Sequence, residues 1–230
     1  MRKRWSAARC PLSTEPVPIE HGRYLVPAVS PSNVAAEDIE VPPQGESRSG
    51  LASAGHVRYL VPDVSVLAIV LAAGASSRYG TDPPKQLALL PKVLTALRES
   101  SVDGIVVVSG AHSLPVESVR CPDWEVGPGA SLRCGLAALP PQAEAAVVVL
   151  ADGPDLDPRA VDRVIDDWRA HGGDAVAASY GGVRLHPVLL ARTVWDDVPD
   201  EGAKSLPARL VACDDLRPPG DVDVATRAES

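Results

Sequence analysis

Apolar residues gather in a few uninterrupted runs. Val66 to Ala73, Gly104 to Ser109 and Ala145 to Ala151 are almost wholly apolar. Short runs of this kind, without alternation, predict strands buried on both faces of a parallel sheet. Ala175 to Tyr180 and Val183 to Leu190 predict two more. Between the runs the period becomes helical. Leu87, Leu90, Val93, Leu94 and Leu97 place one apolar stripe on a helix over 86–100, which Pro91 interrupts to open a second helical piece. Ser131 predicts the cap of a helix bearing Leu132, Leu136 and Leu139, after a Gly127-Pro128-Gly129 turn. Asp157-Pro158 predicts a helix start, Val161, Val164, Ile165 and Trp168 its buried face, and Gly172-Gly173 its end. A short strand within 116–126 and short helices over 193–198 and 203–210 complete the pattern. Strands alternate with helices, so the fold class expected is α/β: a three-layer αβα, Rossmann-like, mostly parallel sheet. Ligands then bind beyond the carboxyl ends of the strands.

The first 65 residues do not join this pattern. Prolines recur through them, and 34–51 is polar and rich in Pro, Gly and Ser, which predicts linker or disorder. Two domains follow: a Pro-rich, partly disordered extension over 1–65 and the α/β domain over 66–230. The extension holds an internal repeat, RYLVPAVS from Arg23 and RYLVPDVS from Arg58, with one mismatch. Two copies are too few for a solenoid. They fit two edge strands, two docking peptides, or the scar of a local duplication or a misassigned start, the last two being preferred. No chemistry is assigned to them.

Charge changes the picture in one respect. The formal net charge is -8, and residues 1–65 balance seven Lys/Arg against seven Asp/Glu, so the whole excess lies in the α/β domain. An acidic domain is poorly suited to nucleic acid, which needs clustered cations. No 18-residue apolar stretch predicts a membrane span, and no apolar segment follows Arg2, Lys3 and Arg4, so a cytoplasmic protein is expected. Cys10, Cys121, Cys134 and Cys213 match no metal knuckle or disulfide scaffold and are expected to be free thiols.

Candidate chemistry sits at the strand ends. Val66 to Ala73 runs into Gly74, then Ala75, Ser76 and Ser77, then Arg78 and Lys85. A strand feeding a small-residue turn makes an anion cradle, and two nearby cations can hold a phosphate chain. The loop is neither G-x-G-x-x-G nor a P-loop, which disfavours dehydrogenase and single-domain ATPase readings. Asp152 ends the run at 145–151. A carboxylate facing polyphosphate needs Mg2+ between the two. Asp155 and Asp157 are better suited to capping. His186 lies beside Pro187, where it is equally well a packed turn residue. Asp221 and Asp223 alternate onto one side of an extended segment, where one could complete a metal site with Asp152. Ser131, Arg133 and Gly135 open a helix whose N–H groups can meet a base edge or a phosphate. There is no G-x-S-x-G elbow.

These pieces together resemble one family. LAAGASSRYG at 71–80, followed by Lys85, is similar to the LAAG-x-S-x-R-M-G…K signature of the MobA-like nucleotidyltransferases. CPDWEVGPGASLRCGL at 121–136, VVVLADGPDLDP at 147–158, GGVRLHPVLL at 181–190, EGAKSL at 201–206 and GDVDVATRAE at 220–229 resemble the family's later motifs, in order. The molybdenum cofactor cytidylyltransferase type is the nearest likeness. The resemblance implies a nucleotide-diphospho-sugar-transferase-like fold. It implies transfer of NMP from CTP or GTP to a phosphorylated small-molecule acceptor of the molybdopterin type, with pyrophosphate released. It also suggests a molybdoenzyme maturation partner. Carried over, Ala72, Ala73 and Gly74 hold base and ribose through the backbone, and Ser76 and Arg78 lie near the triphosphate. Lys85 neutralises the α-phosphate region, and Ser131 to Gly135 contribute to nucleotide recognition. Asp152 binds Mg2+ with Asp223 or Asp221, and His186 orients the acceptor.

The sequence departs from the family pattern at Tyr79, at a shortened stretch after Gln86, at Cys121, at Leu185 before His186, and at Val224. The departures gather on the acceptor side. Two alternatives therefore stand: a nucleotidyltransferase for another small-molecule phosphate, such as the methylerythritol phosphate type suggested by Lys85-Gln86, and a non-catalytic relative that binds a nucleotide or partner.

Overall fold

The computed structural model describes residues 24–25, 65–75 and 85–220. Among these residues eight strands form one sheet: β1 (Tyr24–Leu25), β2 (Ser65–Ala72), β3 (Gly104–Ser109), β4 (Val119–Arg120), β5 (Ala143–Leu150), β6 (Ala175–Tyr180), β7 (Val183–Ala191) and β8 (Arg209–Ala212). Their order is β1-β3-β2-β5-β7-β6-β8, with β4 also pairing β3. Every described pairing is parallel except the two made by β7. Three helices, α1 (Lys85–Glu99), α2 (Pro128–Ala137) and α3 (Pro158–His171), cover the sheet.

The layering follows from strand alternation. On β2, Val66, Ala68, Val70 and Ala72 face α1 and α3, where Leu90, Val93, Leu97, Val161, Val164 and Ile165 meet them. Leu67 and Ile69 face the other way, onto Leu132 and Leu136 of α2. Both faces of β2 and β5 are covered over most of their length, which is why Val66–Ala72 and Ala145–Val149 are apolar. The expected three-layer α/β fold is therefore the observed one. None of the described helices is long and apolar enough to cross a membrane.

The structure adjusts several elements. Pro91 does not divide α1, which runs unbroken for 15 residues. Pro91 lies on the exposed face, where solvent can take the carbonyl its missing N–H leaves unbonded. Ser131 does not cap α2. The helix begins at Pro128, whose fixed φ suits the first turn, and Gly127 stands at the cap with φ +150. Residues 203–210 do not form a helix: a 3-10 turn spans Ala203–Ser205, and β8 then pairs β6 in parallel. Asp157 does cap α3, accepting from the Arg159 backbone N–H at 2.9 Å, and bonding to Arg159 holds its carboxyl below the usual range. The first repeat copy supplies Tyr24–Leu25 as an edge strand on β3, so the edge-strand account describes that copy. The second copy lies outside the described residues up to Ser65.

Cys121 and Cys134 correct the free-thiol expectation: they are joined by a disulfide, with Cα atoms 5.8 Å apart. Their residues are 13 apart, with no small spacing motif, so the pairing is visible only once α2 folds back against the end of β4. Cys213 is free and buried. Cys10 lies outside the described residues.

Gly135 shows how closely α2 sits on the sheet. A Cβ there would lie 2.8 Å from Ile69 Cγ2 and 2.9 Å from Val108 Cγ2. Gly135→Ala is expected to cost about 1–3 kcal/mol through overpacking. Urea unfolding measures this, and an unchanged midpoint would show that the helix can lift without loss.

Candidate active site

The site begins where β2 and β5 end side by side. Leu71 pairs with Leu150, and the Ala151 N–H donates to the Leu71 carbonyl at 3.1 Å. Two parallel strands in this register release their following residues, Ala73-Gly74 and Ala151-Asp152, at the same level of the sheet. The exit of β3 holds the first of these loops. The Ala111 N–H donates to the Ala73 carbonyl at 3.1 Å, and His112 Nε2 lies 3.0 Å from the Ala75 carbonyl. A Cβ on Gly110 would stand 2.5 Å from that Ala73 oxygen, so the contact needs glycine.

The opposite wall comes from the chain between the two disulfide cysteines. A 3-10 turn, Trp124–Val126, leads through Gly127 into α2. Trp124, Glu125, Gly127, Pro128 and Ser131 line a cavity of about 320 Å³ together with Leu71, Ala73, Gly74, Leu150 and Asp152. That volume is at the small end of the range for small-molecule sites. A loop over 198–206 braces this wall from behind. The Gly129 N–H donates to the Asp200 carbonyl at 2.9 Å, and a Cβ on Gly129 would collide with the Pro199 carbonyl. Arg133 donates to the Val198 carbonyl at 2.8 Å and to Asp200 Oδ1 at 2.7 Å. Arg184 donates to the carbonyls of Leu206 at 2.6 Å and Ala203 at 2.8 Å, and burial pushes its guanidinium below the ordinary value.

His186 is placed by a bulge rather than a turn. Ala177 pairs with Val188 and Ser179 with Arg184, so Leu185, His186 and Pro187 together oppose the single residue Ala178. Extra residues of this kind bend a strand and re-aim its side chains. The imidazole comes to rest on Gly153, where a Cβ would lie 2.5 Å from Nε2 and 2.6 Å from Cε1. His186 thus borders the residue that follows Asp152. The Asp155 N–H donates to the Pro219 carbonyl at 3.0 Å, which ties the C-terminal segment to the same turn.

Of the residues singled out from the sequence, the structure brings Ala73, Gly74, Ser131 and Asp152 into one cavity, with His186 beside it. Ala72 is buried toward α1 and α3 instead, and Gly135 faces the sheet. Lys85 is the first residue of α1. Ser76, Arg78, Asp221 and Asp223 lie outside the described residues. Among those described, no group of three or more His, Cys, Asp or Glu gathers as a metal site. Sequence reasoning missed Glu125 and Pro128 as cavity residues. Trp124 and Glu125 lie inside the 121–136 motif, and nothing local marks either as a cavity residue. A second cavity, of about 390 Å³, lies behind α2, where the Arg192 guanidinium stacks 4.9 Å over the Trp195 ring.

Residues 68–212 match the family model described as the MobA-like NTP transferase domain. The chain belongs to this family. The MobA-like domain is similar to solved mycobacterial structures. The crystal structure of Rv0371c from Mycobacterium tuberculosis H37Rv is 29% identical with a TM-score of 0.57, over 70% of this chain and 94% of that one. Its homolog from Mycobacterium sp. strain JC1 is 26% identical with a TM-score of 0.56, over 69% and 90%. A structure of Rv0371C in complex with manganese is 25% identical with a TM-score of 0.50, over 65% and 88%. No curated protein matches the chain. In this MobA-like domain, Gly74 and Asp152 occupy the strand ends where an α/β sheet presents its ligand.

The disulfide closes the chain that carries the Trp124–Ser131 wall. Reduction of the wild-type protein is expected to lower its unfolding free energy by roughly 2–4 kcal/mol, and the Cys121→Ser/Cys134→Ser protein should show the lower value with or without reductant. Paired urea titrations check this. A wild type indifferent to reductant would contradict it.

Proposed function

We propose that this protein transfers NMP from CTP or GTP to a phosphorylated acceptor of the molybdopterin type, releasing pyrophosphate. One observation carries the reading: Gly74 and Asp152 stand together in a cavity faced by Ser131, in a chain of the MobA-like family. An acceptor phosphate oxygen attacks the α-phosphorus. The bond from the α-phosphorus to the bridging oxygen breaks, and pyrophosphate leaves with the electron pair. Positioning and fixed charge supply the rate, with no covalent intermediate.

In this reading the backbone of Ala72 to Gly74 holds the nucleoside. Ser76 and Arg78 bind the triphosphate, and Lys85 meets the charge that builds at the α-phosphate. Ser131 lies on the facing wall, on the helix that also carries Gly135. Asp152 would hold Mg2+ with Asp223, which follows only three residues after Gly220, the end of the segment tied to the 153–155 turn. The fit rests on Asp152 and Glu125 being the charged side chains among the residues lining the cavity, so a polyphosphate there requires a cation. Bound there, the ion would offset phosphate charge. A similar protein was crystallised with manganese. His186 orients the acceptor from the far side of Gly153. The product would pass to a molybdoenzyme maturation partner.

Pyrophosphate release tests the reading, with each of the four NTPs, Mg2+ and candidate acceptors that include methylerythritol phosphate. Asp152→Ala and Lys85→Ala should each lose at least about 10²-fold in turnover. Full activity in both would sink the proposal. Binding of nucleotide with no pyrophosphate under any condition would support a binding protein instead. Gly153→Ala should displace His186 and cost about 10²-fold in kcat, more than the roughly 1–3 kcal/mol of stability expected from overpacking would remove by unfolding. Equal loss of fold and activity would instead mark Gly153 as a packing residue only.

A further inference from the structure

One wall of the cavity is closed by a bond that a thiol can open. Cys121 follows β4, Cys134 lies within α2, and the chain between them supplies Trp124, Gly127, Pro128 and Ser131 to the cavity. The Cys121 end is fixed to the sheet, where its N–H donates to the Ser109 carbonyl of β3 at 2.8 Å. The disulfide ties α2 to that fixed point.

The two cysteines differ in access. Cys121 is fully buried, whereas Cys134 is partly exposed. Thiol–disulfide exchange is an attack by a thiolate on one sulfur, and access decides which one. A thiolate arriving from solvent meets Cys134. The new S–S bond forms there, the Cys121–Cys134 bond breaks, and Cys121 leaves with the electron pair and takes a proton. When the attacker is a dithiol, its second thiolate then attacks the mixed disulfide. That step frees the Cys134 thiol and leaves the reductant as its own disulfide. The Cys121 thiol so formed has an acceptor in place, because its Sγ lies 3.5 Å from the Ala130 carbonyl. Reduction therefore leaves no buried S–H unmet. Ala130 precedes Ser131, so the exchange acts on the turn of α2 that lines the cavity.

We infer that Cys121–Cys134 is a thiol-exchange site, entered at Cys134, whose oxidised form holds the cavity wall for nucleotide and whose reduced form binds nucleotide more weakly. The effect on nucleotide rests on the cavity being the NTP site of the proposed transfer; the exchange itself does not.

Two measurements on the full-length protein test it. After a brief pulse of reduced glutathione and an acid quench, peptide mapping should find the mixed disulfide on Cys134. With oxidised glutathione, Cys121→Ser should take the adduct on Cys134, and Cys134→Ser should take none on Cys121. Equal modification of both sulfurs would overturn the inference. In calorimetry with Mg2+, the oxidised wild type should bind CTP or GTP at least about fivefold more tightly than the dithiothreitol-reduced protein. Cys121→Ser/Cys134→Ser should match the reduced protein with or without reductant. By linkage, saturating nucleotide should raise the equilibrium ratio of disulfide to dithiol in a dithiothreitol redox buffer by the same factor. Equal affinities in the two states would overturn the inference, as would a ratio that nucleotide does not move. So would a reduced protein that no longer unfolds cooperatively in urea, since the bond would then be a staple of the fold. If neither state binds CTP or GTP while Cys134 takes the adduct, the NTP reading fails and the exchange site stands.

Discussion

The parallel pairing of β2 with β5 sets the position of everything that follows. Two apolar strands lie in register from Val66 and Ala145 to Leu71 and Leu150, and one more backbone bond, from Ala151 to Leu71, locks their upper ends. That register makes Gly74 and Asp152 neighbours although they are far apart in sequence. A shift of one residue would turn every side chain of a strand to the opposite layer, so the cores under α1, α3 and α2 all resist it. The burial that stabilises the sheet is therefore the same constraint that aligns the site.

The outer parts of the site depend on close backbone approach. Gly129 allows the 199–200 segment to sit on the start of α2, and Gly153 allows the His186 ring to lie on the turn after Asp152. Arginines secure the bracing loop through carbonyl oxygens, Arg133 from α2 and Arg184 from β7. Planar guanidinium groups suit this work, because several donors act at once from a single rigid fork. The disulfide closes the remaining side of the wall. One half of the cavity is thus held by strand ends, and the other by a segment fastened at three points.

This division matches the departures from the family pattern seen in the sequence. The strand-end half carries Gly74 and Asp152, which lie within the motifs on which the resemblance rests. The changes at Leu185 fall on the bulge of β7, beside His186, and Leu185 itself is partly exposed. Cys121, one of the positions at which the sequence departs from the resemblance, is one end of the disulfide and so helps to close the wall.

The sequence by itself determined the α/β class, the buried strands, the capped start of α3 at Asp157 and the family. Each of these rests on local periodicity, a local cap or a contiguous motif. It also pointed to Gly74, Ser131 and Asp152, because strand ends and helix starts are visible as boundaries in a one-dimensional pattern. Only the tertiary structure decided that Gly135 packs on Ile69, that Ser131 lies inside a helix and that Cys121 meets Cys134. It also decided that β8 is a strand and that Glu125 is among the residues lining the cavity. The physical reason is shared. Each of these depends on a contact between segments distant in the chain, and short, exposed or glycine-rich stretches carry no period from which such a contact can be inferred.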